Sequence, residues 1–288
     1  MEVALTSFPD KVQKVILEYL EAMIQAVIPA AFPSNIFQLD SSDDGVVLYG
    51  YQHWEGDSVS TWYRWLSIPT FPYIEKCPSM PPISFDLSNY SWHRDCICWS
   101  KGDCYLLATN CALRTPVIIQ ISLLTKRIVK NIPLPKEYSY LAASGMKVYE
   151  DKCYILDYKE NRVLIFDLKQ KRFTGLFDTI YAPKGITISD DVLYVADTLF
   201  SLIYMIDLKT LQPTSIRADK YIKLPNHIYV QNELIYVISQ NEVVILNKNG
   251  KFIQSMDFAK NALQSCTVFN GKLFATTQSA MFVLATTS

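Results

Sequence analysis

Short apolar runs broken by polar turns recur along this chain, and they recur in a common internal order. Six times an apolar run meets a tight polar turn, then a second apolar run carrying an aromatic, then a polar loop and a third apolar run. The aromatic marker is Tyr49, Tyr105, Tyr154, Tyr194, Tyr236 and Phe274, at spacings of 56, 49, 40, 42 and 38 residues. The turn before each marker repeats as well: Asp43-Asp44-Gly45, Lys101-Gly102-Asp103, Glu150-Asp151-Lys152, Ser189-Asp190-Asp191, Gln231-Asn232-Glu233 and Asn270-Gly271-Lys272. Asn, Asp and Gly tolerate the backbone angles of two-residue hairpins, so each turn joins a pair of antiparallel strands. Third strands are expected at 61–67, 117–123, 163–168, 202–208, 243–247 and 281–284.

A unit of about 40 residues holding four short strands cannot bury both faces of its sheet until it stacks on neighbours. The pattern therefore predicts an all-β protein, a β-propeller of six four-stranded blades over residues 34–288. The blades fall near 34–76, 91–132, 140–178, 182–218, 222–258 and 262–288. Between the first two lies an irregular stretch with Pro69, Pro72, Pro78, Pro81 and Pro82, expected to run over the surface. The last repeat supplies three strands, and its outer edge needs a fourth. Residues 2–6 are expected to provide it, so 1–33 form a closing strand followed by one amphipathic helix.

The helix is read from Ser7 as N-cap, Pro9 in the first turn and Asp10 three residues on, with Val12, Ile16, Leu20, Met23 and Val27 at helical spacing and Pro29 as its end. Its apolar stripe is expected to pack on the propeller or to dock another protein. Leu5, Phe8-Pro9, Val12, Ile16-Leu17 and Leu20 resemble the opening of an F-box, which implies a ubiquitin-ligase adaptor as one alternative function.

Pro183-Lys184-Gly185-Ile186, followed by Leu193-Tyr194-Val195-Ala196-Asp197-Thr198 and Ile203-Tyr204-Met205-Ile206-Asp207, resembles a blade of the NHL and SMP-30/gluconolactonase-type propellers. Asp157 with Asn161-Arg162-Val163-Leu164-Ile165-Phe166-Asp167 is similar. The resemblance implies, as an alternative function, a hydrolase holding a divalent cation over the central channel with carboxylates and amides near the starts of the innermost strands. Asn226 in Leu224-Pro225-Asn226-His227 matches one such element, with His227 in place of the family's glycine. The preceding blade's corresponding residue is Lys184, a cation where a ligand is wanted, and a hard cation needs several oxygen donors.

Charge narrows the partners. Lys plus Arg number 27 against 28 Asp plus Glu without a long run of either sign, so no phosphate-binding field is present and nucleic acid is not an expected partner. The apolar stretch 22–32 is interrupted by Gln25 and Pro29 and is shorter than a membrane span, and no secretory signal is read at the start, so the expectation is a soluble cytoplasmic protein with reduced cysteines. Cys96-x-Cys98 near His93 and Cys104 lacks the second pair that a tetrahedral zinc site needs and reads as buried thiols. No nucleophile elbow, phosphate loop or metalloprotease motif occurs, so no catalytic residue, cofactor or metal is nominated. One loop face is expected to carry His53, Trp54, His93, Arg94, Asp95, Asn110, Asp157, Lys184, Asp197, Asn226, His227, Gln240 and Gln278. The function expected is a non-catalytic scaffold that holds another protein through that face or through the helix.

Overall fold

The polar turns of the repeat adopt the backbone that two-residue hairpins require. In the computed structural model φ is +50° and +84° at Lys101 and Gly102, +52° and +60° at Asp190 and Asp191, and +50° and +64° at Asn232 and Glu233. The structure describes residues 24–29, 35–42, 45–52, 60–66, 83–85, 90–122, 125, 127–258, 262–269, 272–277 and 280–285; before residue 90 it is the backbone and its pairing that are described.

The first described element is β1 (Ile24–Pro29). The first sheet is β2 (Asn35–Ser42), β3 (Gly45–Gln52), β4 (Ser60–Leu66) and β5 (Ile83–Phe85); the second is β6 (Tyr90–Ser100), β7 (Asp103–Asn110), β8 (Thr115–Ser122) and β9 (Arg127–Pro133). The third is β10 (Ala143–Tyr149), β11 (Lys152–Asp157), β12 (Arg162–Asp167) and β13 (Arg172–Phe177), and the fourth is β14 (Pro183–Ser189), β15 (Val192–Asp197), β16 (Leu202–Asp207) and β17 (Pro213–Arg217). The fifth is β18 (Pro225–Gln231), β19 (Leu234–Ser239), β20 (Glu242–Asn247) and β21 (Phe252–Asp257). The sixth is β22 (Ser265–Phe269), β23 (Lys272–Thr276) and β24 (Ala280–Ala285), with β1 as its outermost strand.

Among the described residues these make six four-stranded antiparallel sheets. Their first strands neighbour one another in a ring, β2 to β6 to β10 to β14 to β18 to β22 and back to β2, which is the arrangement of a β-propeller. The marker aromatics occupy one row of it: Tyr154 lies opposite Ile165, Tyr194 opposite Met205, Tyr236 opposite Ile245 and Phe274 opposite Val283. All four are buried.

The core lies between sheets. Cys96, Cys98, Leu107 and Ile118 of the second sheet pack on Met146, Cys153, Ile155 and Leu164 of the third, and further apolar clusters join the third sheet to the fourth, the fourth to the fifth and the fifth to the sixth. Second and third strands are covered on both faces, so 153–156, 163–166, 193–196, 235–238 and 243–246 are buried without interruption. The outer strand β13 alternates exposed and partly covered positions.

Two expectations need correction. The strand that completes the last sheet is Ile24–Pro29, not 2–6: Val27 lies opposite Phe282, Ile28 opposite Met281 and Pro29 opposite Ala280. The helical spacing predicts these residues as the end of the helix, and pairing with β24 overrides that local periodicity, with Val27 and Ile28 well suited to a strand. Pro29 is tolerated because an outermost strand leaves one row of N–H groups unused. β1 thus enters β2 as every outer strand enters the next sheet. The first sheet also extends past residue 76, taking its fourth strand from Ile83–Phe85 beyond the proline-rich stretch. Residues 2–6, the part of the expected helix at 7–23 with the F-box-like positions, and 67–82 lie outside the described residues.

Candidate functional site

Second strands end, and third strands begin, at the same end of the sheets where each outer strand hands over to the next first strand. At this end the last residue of the second strand holds backbone with its side chain, either of its own turn or of the segment leading into its sheet. Asn110 accepts from the N–H groups of Ala112 (3.1 Å) and Leu113 (2.9 Å) through Oδ1. The buried Asp157 accepts from Arg162 Nε at 3.0 Å, pairs with its Nη2 at 3.0 Å, and receives the Glu160 N–H at 3.4 Å. Asp197, fully buried, accepts from Tyr181 N–H at 3.0 Å and Phe200 N–H at 2.8 Å, one on each oxygen. In the fifth sheet Ser239 Oγ accepts from Lys223 N–H at 2.7 Å and donates to the carbonyl of the same residue. Carboxylates used in this way satisfy backbone donors and hold loops.

The first strands converge here on small residues. A Cβ on Gly145 would stand 2.8 Å from the Lys184 carbonyl, and one on Gly185 would stand 2.7 Å from Ile228 N, so these two strands approach their neighbours only because neither residue has a side chain. Ser144 Oγ donates to the Pro183 carbonyl at 2.5 Å and Thr198 Oγ1 to the Pro225 carbonyl at 2.6 Å, stitching the third sheet to the fourth and the fourth to the fifth. The imidazole of His227 takes up the corresponding space beside the sixth sheet. Its Nε2 lies 3.1 Å from Ser265 Oγ and its Nδ1 accepts from Cys266 N–H at 3.4 Å. Burial, and after it the charge of Lys147, pull its pKa down to about 3.

The other expected face residues are dispersed. Lys184 is the second residue of β14 as Asn226 is of β18, yet the Lys184 ammonium lies 5.8 Å from the centroid of the Tyr158 ring in the third sheet. Asn226 Oδ1 is buried and has no hydrogen-bond partner among the described residues. His93 sits inside β6, not before it, in the stretch between Trp92 and Ile97 where the register slips; its Nε2 lies 3.2 Å from Thr109 Oγ1, and burial lowers its pKa. Arg94 and Asp95 belong to the same stretch. Gln240 is exposed, with φ of +58°, in the two-residue turn between β19 and β20. His53, Trp54 and Gln278 lie outside the described residues. Cys96 and Cys98 are buried cysteines that pack with Cys153, and among the described residues no group of three or more His, Cys, Asp or Glu side chains is placed to hold a metal ion.

What residue types alone missed is apolar. Leu199 is 60% exposed, Phe200 52% and Leu224 52%, and Tyr158 and Tyr181 are also exposed, all on the loops at this end. Tyr181 and Phe200 meet edge to face at 5.0 Å, and Leu224 N–H donates to Ser201 Oγ at 3.4 Å, so the loops of the fourth sheet and of its junctions with the third and fifth form one ledge. The available signal was phase: each of these residues follows a strand-ending Asp or closely precedes a strand-starting Pro, where the repeat calls for polar turn residues.

No family model and no curated protein matches the chain. Solved structures do. BamB from Moraxella catarrhalis is 14% identical over 87% of this chain and 83% of its own, with a TM-score of 0.50. The computationally designed Ika8 protein is 7% identical over 91% and 99%, with a TM-score of 0.56. KlHsv2 with loop 6CD replaced by a Gly-Ser linker is 8% identical over 85% and 75%, with a TM-score of 0.53. At these identities the likeness is one of fold alone, the β-propeller.

Proposed function

We propose that this chain is a protein-binding scaffold, a propeller of six blades that presents the loop end carrying the capped second strands to another protein. The observation that carries this reading is the ledge of Tyr158, Tyr181, Leu199, Phe200 and Leu224, apolar side chains left in water on loops whose polar groups are engaged in holding the backbone. Large exposed aromatics on rigid loops are the kind of group that anchors protein interfaces. The test is affinity enrichment with the purified chain, Phe200→Ser and Lys169→Gln, the last at the opposite end. A partner retained by the wild type and Lys169→Gln but lost from Phe200→Ser supports the reading; retention by all three opposes it.

A second reading follows the resemblance to NHL and SMP-30-type propellers, in which Asn226 would help hold a divalent cation. It is favoured by the buried, unpartnered Asn226 Oδ1. Its neighbours do not complete a hard-cation shell, because Asp157 and Asp197 cap loops. Calorimetric titration with calcium, manganese and zinc decides it: micromolar binding abolished by Asn226→Ala would promote this reading above the scaffold.

A further inference from the structure

No further inference is drawn: the strongest candidate, the row of buried oxygens of Asn226, Gln264 and Thr267 along the inner strands of the fifth and sixth sheets, which have no hydrogen-bond partner among the described residues, borders the first sheet, of which only the backbone is described, so nothing in the structure shows what covers it.

Discussion

Gly185 and His227 lie so close across two sheets that a Cβ on the glycine would stand 2.8 Å from the Cα of the histidine. The obstacle is backbone, which cannot rotate away. Overpacking of this kind costs about 1–3 kcal/mol and more where nothing can yield. Gly185→Ala is therefore expected to lower stability by roughly 3 kcal/mol in urea titration. At Gly175 the nearest neighbour of a new Cβ is the mobile Ile165 Cδ1, at 3.1 Å, so Gly175→Ala should cost less. Equal effects at the two positions would show that convergence of β14 on β18 does not limit the packing.

Asp197 is expected to be the more sensitive of the two carboxylate caps. It is fully buried and accepts two backbone N–H groups that lose their partner if it is removed, whereas Asp157 accepts one, from Glu160 at 3.4 Å, beside the flexible side chain of Arg162. Leaving buried donors unsatisfied costs about 1–3 kcal/mol. Asp197→Ala should fall at the upper end of that range and Asp157→Ala at the lower, read from denaturant midpoints. Amide exchange at Tyr181 and Phe200 should also quicken in Asp197→Ala, and unchanged protection there would refute the capping role.

The pH dependence of stability between neutrality and mild acid should come from histidine. His227 has a folded pKa of about 3 against an ordinary 6.5, so the unfolded chain takes up the proton more readily. Its contribution is fully present above pH 6.5 and is lost as pH falls from there toward about 3, with a slope of about 1.4 kcal/mol per pH unit. His93, lowered by burial, acts in the same sense. Asp151, Asp190, Asp191 and Asp207 are all shifted below 3.8, so their contributions persist down to that value and are lost only as pH falls past it. Glu242, whose pKa burial raises, acts in the opposite sense. Unfolding midpoints compared at pH about 7.5 and about 5 separate the histidines from these aspartates, and the difference should shrink in His227→Gln. A difference unchanged by that substitution would place the sensitivity elsewhere.

Fold and site were legible to different degrees, for a physical reason. Hairpin chemistry and the marker aromatics are local and repeat in phase, so Tyr154, Tyr194 and Tyr236 announced their rows before any pairing was known. The strand Ile24–Pro29 was hidden because its partner, β24, lies some 250 residues away, and the same residues fit a helical stripe. At the loop end, Asp157 and Asp197 look like ligands by residue type, and only the turn geometry reveals that their oxygens are taken. Phe200 and Leu224 look like core by residue type, and only their place on the loops exposes them.

Ring closure through β1 gives the last prediction. Without Ile24–Pro29 the outer edge of β24 presents unpaired N–H and C=O groups, the template on which other chains pair. A chain starting at residue 30 is expected to melt at lower temperature than the full chain and to associate with rising concentration in light scattering. General damage from truncation and loss of one strand are separated by supplying the strand in trans. A synthetic peptide of residues 23–30 should raise the melting temperature of the truncated chain and reduce its association, because the edge accepts an added strand through main-chain bonds. The same peptide with Ile28→Pro lacks an N–H in the row that faces β24, the row opposite to that of Pro29, and should not rescue. A truncated chain that stays monomeric with unchanged melting, or rescue by the proline peptide equal to that of the native one, would mean that the edge of β24 is not what β1 protects.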